Sequence, residues 1–223
     1  MALVKTENIG RTYGKPGVGV VALAGVGIEV ETGSFLALVG PSGSGKTTLL
    51  NLIGGLDRPD EGRIFVEGKE ITKLSAKELA DFRLNKVGFV FQEFNLIPVF
   101  SALENVEYVM LLKGVDKKVR RGRALSILEE MGLGDMAKRM PNELSGGQKQ
   151  RVAVSRAIAA EPTLILADEP TANLDSKTGA ALIDKMKELN EKKGMTFIFS
   201  THDRMVVDKA SRVINLKDGR VVE

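Results

Sequence analysis

The sequence predicts an α/β protein, with a mostly parallel sheet flanked by helices, an N-terminal antiparallel β subdomain and an inserted α-helical lobe. Three observations carry this. Ser34-Phe35-Leu36-Ala37-Leu38-Val39 is an apolar strand running into a glycine-rich loop and a helix. Leu164-Ile165-Leu166-Ala167 and Thr196-Phe197-Ile198-Phe199 are continuous apolar runs, the pattern of strands covered on both faces. Ser176 to Lys193, between them, puts Leu182, Ile183, Met186 and Leu189 on one side of a helix.

In chain order, Leu3 to Ile9 alternates like a strand, and Arg11-Thr12-Tyr13-Gly14 reads as a turn. Val20 to Glu31 is rich in β-branched residues and supplies one or two strands of the antiparallel sheet. Gly17-Val18-Gly19-Val20-Val21-Ala22 matches a dinucleotide-binding fingerprint in letters alone. It follows Lys15-Pro16 rather than a strand and opens into β-branched residues rather than a helix. After the glycine-rich loop, Thr48 to Ile53 is a helix, Asp57 to Gly62 a polar turn and Arg63 to Gly68 a strand. Ser75, with Glu78 three residues on, caps a helix reaching about Leu84. Val87 to Phe91 is a buried strand ending at Gln92.

From Asn95 to Asn142 only helices are expected, at Leu103–Leu112 and Arg121–Met131. Residues 95–142 are therefore read as a lobe inserted in a core of 1–94 plus 143–223, the whole forming one domain. Ser145 caps a helix from Gln148 to Ala160. The end of the chain is a hairpin around Lys217-Asp218-Gly219.

Composition narrows the function. Hydrophobic residues at 43% and charged residues at 27% fit a soluble globular protein. The longest uncharged run, Pro16 to Ile28, is glycine-rich and shorter than the roughly 20 apolar residues that span a bilayer. No secretory signal is visible at Met1 to Lys5. A role at a membrane would need another chain for the membrane part. The absence of cysteine excludes a disulfide scaffold and Cys-ligated metals. A net charge of +3 is too small to call for nucleic acid. The basic cluster Lys117 to Arg123 has no interleaved aromatics and reads as a solvated helix start.

The chemistry centres on Gly40-Pro41-Ser42-Gly43-Ser44-Gly45-Lys46-Thr47, followed by Thr48, which meets every fixed position of G-x-x-x-x-G-K-[ST] between a strand and a helix. Such a P-loop turns backbone N–H groups inward as an anion nest and adds the positive end of a helix. Lys46 reaches the β- and γ-phosphates of a nucleoside triphosphate, and the Thr47 hydroxyl ligates Mg²⁺. Asp168-Glu169 closes an apolar strand, at the rim where α/β proteins bind ligands. Asp168 suits Mg²⁺ held through its waters, and Glu169 suits polarisation of an attacking water. Ser145-Gly146-Gly147-Gln148 is a second glycine-bearing helix start, about a hundred residues after the first. Both meet one nucleotide only if the helical lobe folds back or a second chain supplies the second end.

Together these strings resemble the nucleotide-binding subunits of ABC (ATP-binding cassette) transporters, in that family's order and over essentially the whole chain. Gly40 to Thr47 matches Walker A, Gln92 the Q-loop, Leu144 to Gln148 the signature, and Leu164 to Glu169 Walker B. Asn173-Leu174-Asp175 looks like the D-loop and His202 the switch histidine. The resemblance implies a P-loop NTPase core that binds ATP and Mg²⁺ and hydrolyses ATP, with Lys46, Glu169 and His202 catalytic and with Thr47, Asp168 and Gln92 at the metal. It also implies a head-to-tail homodimer on ATP binding. Ser145, Gly146, Gly147 and Gln148 then complete the partner's site, and Asp175 lines the interface. Tyr13 resembles the aromatic that stacks on adenine; the residues alone equally allow a tyrosine packed on the sheet. Phe91 to Pro98 and Ser101 to Val106 look like the subgroup serving lipoprotein-release and macrolide-efflux permeases, implying a separate membrane permease and a place on the cytoplasmic face of the membrane. The alternatives are a soluble ABC ATPase of repair or translation, and a cell-division regulator acting through a permease. Thr47-Thr48 and Ser155 are small departures from the family's commoner residues.

Overall fold

Two long strands open the chain, β1 (Ala2–Tyr13) and β2 (Val20–Glu31), paired antiparallel from Ala2 opposite Glu31 to Tyr13 opposite Val20. The computed structural model describes residues 2–14 and 18–222; Lys15, Pro16 and Gly17, the start of the dinucleotide-like string, lie outside them. Arg11, Thr12 and Tyr13 are strand and not turn. The cause is tertiary: Asp57 and Asp60 accept from the Arg11 guanidinium, and Asp60 also accepts from the Thr12 amide. Val20 to Glu31 forms a single strand. Next come β3 (Phe35–Val39), α1 (Lys46–Ile53), β4 (Glu61–Val66), β5 (Lys69–Glu70), α2 (Ala76–Lys86) and β6 (Val87–Val90). Ser75 and Glu78 form the expected capping box of α2. Strands β2-β1-β4-β5 make one antiparallel sheet.

Residues 95–142 carry α3 (Ala102–Leu112), α4 (Lys117–Glu130) and two short 3-10 turns, with no strand among the described residues. Helix α4 starts at Lys117 rather than Arg121 because the Asp116 carboxylate accepts from the Lys118 and Val119 amides. The basic cluster forms its first turns: Arg120 and Arg121 face Glu107, and Arg123 pairs with Glu161. Then follow α5 (Gly146–Ile158), β7 (Leu164–Asp168), α6 (Ser176–Lys193), β8 (Thr196–Thr201), α7 (Arg204–Lys209), β9 (Arg212–Lys217) and β10 (Arg220–Val222). In α5, Ser155 is buried and turns its hydroxyl back to the Arg151 carbonyl at 2.8 Å.

The second sheet has the order β10-β9-β3-β8-β7-β6 and is parallel except for β10, which closes the expected hairpin. Its central strands are buried on both sides, which explains their unbroken apolar sequence. Phe35, Ile165, Phe197 and Phe199 face a core shared with α3, α4, α5 and α6. Leu36, Leu38, Leu166 and Ile198 face a second core, where Leu49, Leu52 and Ile53 of α1 pack between the two sheets. The Phe35 ring lies 4.5 Å from that of Phe199 and 5.5 Å from that of Phe197. A one-residue slip of any of these strands would exchange its two faces, so the register is fixed. In that register Val39 lies opposite Thr201, and Asp168 opposite Ser200. The carboxyl ends of β3, β8 and β7 therefore stand side by side, with β6 next to β7. The loops that carry Gly40 to Thr47, Gln92, Asp168-Glu169 and His202 all leave this one rim.

Candidate functional site

Strand β3 leads straight into the glycine-rich loop. Gly45 takes φ 101°, a left-handed conformation that turns the chain into α1, and a Cβ there would lie 2.5 Å from the Ala22 carbonyl oxygen. No side chain caps α1, so its first-turn N–H groups are left for something else. The loop encloses a cavity of about 700 Å³. Pro41, Ser42, Gly43, Ser44, Gly45, Lys46, Thr47 and Thr48 line one side; Gln92, Glu169 and His202 line the other. Lys46 is buried, and its ammonium donates to the carbonyls of Gly40 at 2.7 Å and Pro41 at 3.0 Å. One of its three protons remains for a ligand. The Ser44 hydroxyl is buried without a partner.

From β7, Asp168 Oδ1 accepts from the Thr47 hydroxyl at 2.9 Å, across the loop. Glu169 has φ 44°, a strained conformation worth about 1–3 kcal/mol. Its N–H is tied to the Ser200 carbonyl at 2.8 Å and its carbonyl accepts from the Ala172 amide at 3.1 Å. This geometry brings Oε1 within 2.9 Å of His202 Nδ1 and leaves Oε2 buried with no partner. An ionised carboxylate only accepts, so a hydrogen bond here requires the proton on Nδ1. Nε2 then donates onward only when the ring is doubly protonated.

The cavity offers donors: the uncapped N–H groups of α1, the unpartnered Ser44 hydroxyl and the remaining Lys46 proton. They fit phosphate oxygens. The Thr47–Asp168 pair offers hard oxygens, with the Gln92 amide at the rim. These fit Mg²⁺, which keeps several waters and takes few protein ligands. Among the described residues no cluster of three or more His, Asp or Glu is arranged to hold a metal unaided.

A second hollow, about 280 Å³, is formed by Ser145, Gly146, Gly147, Gln148 and Asp175, with Arg151, Asn173 and Thr178. The Ser145 hydroxyl accepts from the Gln148 amide, and the Gln148 side-chain oxygen accepts from the Ser145 amide at 2.8 Å. Gly147 has no room for a side chain, since a Cβ would lie 2.5 Å from Thr178 Cγ2. Asp175 caps α6, and hydrogen bonds from the Thr178 hydroxyl and amide hold its carboxyl below the usual range. None of these residues lines the first cavity. Within one protomer the two glycine-bearing helix ends stay apart.

Residues 23–172, more than half of the chain, match the family described as ABC transporter. The chain belongs to the ABC transporter family. A lipoprotein-releasing system ATP-binding protein of Syntrophus aciditrophicus is 42% identical to it over 99% of each chain. A bacitracin export ATP-binding protein of Halalkalibacterium halodurans is 41% identical over 99% of this chain and 87% of its own. An ATP-binding cassette of Methanocaldococcus jannaschii, solved as a dimer in a post-hydrolysis state bound to ADP and Pi, is 45% identical. It matches 99% of this chain and 97% of its own with a TM-score of 0.93. The chain is accordingly an ABC ATPase.

Tyr13, the candidate for stacking on adenine, lies outside the lining of the cavity. Its hydroxyl donates to Asp57 at 2.9 Å, and the Arg11 guanidinium lies 4.7 Å from its ring centre. Tyr13 pairs with Val20, which does line the cavity, so the backbone of Tyr13 runs beside it. Val20, Ala22 and Ala172 of the lining were not foreseen, because small apolar residues carry no chemical signal. Nor was Arg156, which donates to the carbonyls of Asn95 at 2.5 Å and Phe94 at 3.0 Å. Those two residues hold positive φ of 48° and 62° just after Gln92.

Proposed function

We propose that two copies of this ABC ATPase close head to tail around two ATP molecules, each bound by the P-loop of one copy and the Ser145–Gln148 segment of the other. The carrying observation is that each protomer holds a fully furnished phosphate cavity and, elsewhere, a second helix end that the cavity does not use. The Methanocaldococcus relative, solved as a dimer bound to ADP and Pi, supports a dimer of such cassettes.

In this reading Gly40 to Thr48 bind the triphosphate, with Lys46 on the β- and γ-phosphates. Thr47, Asp168 and Gln92 hold Mg²⁺, which when bound offsets charge on the phosphate oxygens. Glu169 accepts a proton of the attacking water at its unpartnered Oε2, while His202 fixes Oε1 and so aims the carboxylate. Tyr13 offers the ring face not covered by Arg11 to the base. Gln92 follows the terminal phosphate and passes its position to the lobe of residues 95–142. That lobe engages a permease supplied by a separate membrane chain, placing this subunit at the cytoplasmic face. No helix among the described residues is long and apolar enough to cross a membrane. The names of the relatives and the Phe91–Pro98 string favour a permease of the lipoprotein-release or of the macrolide or peptide-export type.

Two inactive variants test the shared site. Lys46→Ala spoils the P-loop and Ser145→Arg spoils the other half. In a heterodimer of the two, one site carries both defects and the other carries none. Random pairing makes half of the dimers mixed, each with one intact site of two, so an equimolar mixture recovers up to about a quarter of normal turnover. A mixture as inactive as its components would sink the head-to-tail arrangement. Identifying the membrane protein that co-purifies tests the permease class.

A further inference from the structure

Glu169 and His202 reach each other from two different loops, one leaving β7 and the other β8. The His202 side chain is 74% exposed, so no packing holds its ring in place. Its aim is set by the backbone beneath it. Glu169 is more enclosed, but its left-handed backbone persists only where the surroundings enforce it. Its amide is tied to Ser200, and Gln150 of α5 donates to the Pro170 carbonyl at 2.8 Å. One further bond joins the two loops. Thr171 Oγ1 donates to Asp203 Oδ2 at 2.7 Å, two residues after Glu169 and one after His202. Among the described residues it is the only side-chain hydrogen bond between these loops besides the Glu169–His202 contact itself. Both of its ends are seated. Thr171 is buried, and its methyl packs on α6, where a Cβ added to Gly179 would lie 3.4 Å from Thr171 Cγ2. The Asp203 amide donates to Thr201 Oγ1 at 3.0 Å, and Asp203 Oδ1 accepts from the Met205 amide at 2.9 Å. Neither Thr171 nor Asp203 lines the nucleotide cavity or the Ser145 hollow.

We propose that Thr171 and Asp203 are positioning residues that clamp the β7 loop to the β8 loop and so hold His202 Nδ1 at Glu169 Oε1. This rests on the roles given above to Glu169 and His202. A hydrogen bond to an ionised carboxylate is about twice as strong as a neutral one, enough to set the spacing of two loops. Without it the exposed ring swings with α7, which buries Val206 alone. Glu169 then loses the proton that fixes Oε1, and Oε2 no longer points steadily at the water. Lys46 and Thr47, which hold the triphosphate, bond to neither member of the clamp. Nucleotide binding is therefore kept while the chemical step slows.

Thr171→Val keeps the methyl and removes the donor, whereas Thr171→Ser keeps the donor and removes the methyl. Each loses one buried contact, so both should lower the urea midpoint. They part in steady-state phosphate release. Thr171→Val should lose roughly tenfold in kcat with KM for ATP within about twofold, the mark of an interaction made only in the transition state, and Thr171→Ser should stay within about threefold of the parent. In a His202→Ala background Thr171→Val should cost less than about twofold, because the clamp has no ring left to place. Turnover that follows the urea midpoint in both variants, or a loss as large without His202 as with it, overturns the clamp and leaves Thr171 a packing residue. Parent turnover in Thr171→Val overturns it too, while the roles of Glu169 and His202 stand. A His202→Ala protein as fast as the parent instead removes the role of His202 on which the clamp depends.

Discussion

Gly147→Ala gives a direct test of how the signature helix is seated. The added Cβ would lie 2.5 Å from Thr178 Cγ2, against the 3.5–4.0 Å of an ordinary carbon contact, so α5 and α6 must part by about 1 Å. Overpacking of this kind costs about 1–3 kcal/mol. Alanine returns up to about 1 kcal/mol of helix propensity, leaving a net loss near 1 kcal/mol. For a chain of this size that lowers the melting temperature by about 2–4 °C. Turnover suffers more, because about 1 Å of misplacement at a catalytic group costs on the order of a hundredfold. Thr178→Ser supplies the control: it deletes the clashing methyl and keeps the hydroxyl that bonds Asp175. The double variant should regain both melting temperature and ATPase rate, since the added Cβ points into its own protomer. If it melts normally but stays inactive, or if Gly147→Ala alone keeps full activity, the steric explanation is refuted.

Three further outcomes follow from the site and its supports. Glu169→Gln keeps a side chain of the same shape but a poorer proton acceptor; ATP binding by filtration should persist while turnover falls by about 10²–10⁴-fold. Arg156→Met strips two carbonyl partners from the strained Phe94–Asn95 pair and should cost about 2–3 kcal/mol. A lower urea midpoint at unchanged slope would register this, and Arg156→Lys should not rescue it, because a point charge cannot replace the planar fork. The Asp175 carboxyl titrates lower in the folded chain than its unfolded value near 3.9, so its contribution is complete above that pH and fades as pH falls through the depressed value. Melting curves from about pH 5 to pH 3 should fall less steeply for Asp175→Asn, which caps without ionising.

Much of the architecture was legible because strands buried on both faces read as unbroken apolar runs, and α2 and α5 announce themselves through serine caps. What escaped was held by distant partners or lacked an apolar face. Arg11 to Tyr13 look like a turn until Asp57 and Asp60 arrive to hold them. The first two turns of α4 are exposed, so the buried residues Ala124, Ile127 and Leu128 signal the helix only late. Helix α7 buries Val206 alone. At the site, the residues with distinctive chemistry were all readable as strings: Lys46, Thr47, Asp168, Glu169 and His202. Their meeting depends on the strand order β3-β8-β7, which no local pattern encodes. The links of Arg156 to backbone carbonyls leave no trace in the sequence, because the acceptor is the same at every residue.

The missing cap of α1 has a consequence for the chain's own folding. Among the described residues, every other α-helix begins under a side chain: serine boxes for α2, α3 and α5, aspartates for α4, α6 and α7. Helix α1, wedged between the two sheets, is left to be finished by phosphate. The substrate then serves as a structural part of the protein as well as its fuel. Binding it raises the stability of the whole by linkage, and that gain grows with nucleotide concentration. Each round of hydrolysis and release returns the centre of the molecule to a less finished state. A cell's ATP level is therefore also a setting on how firmly this protein is folded.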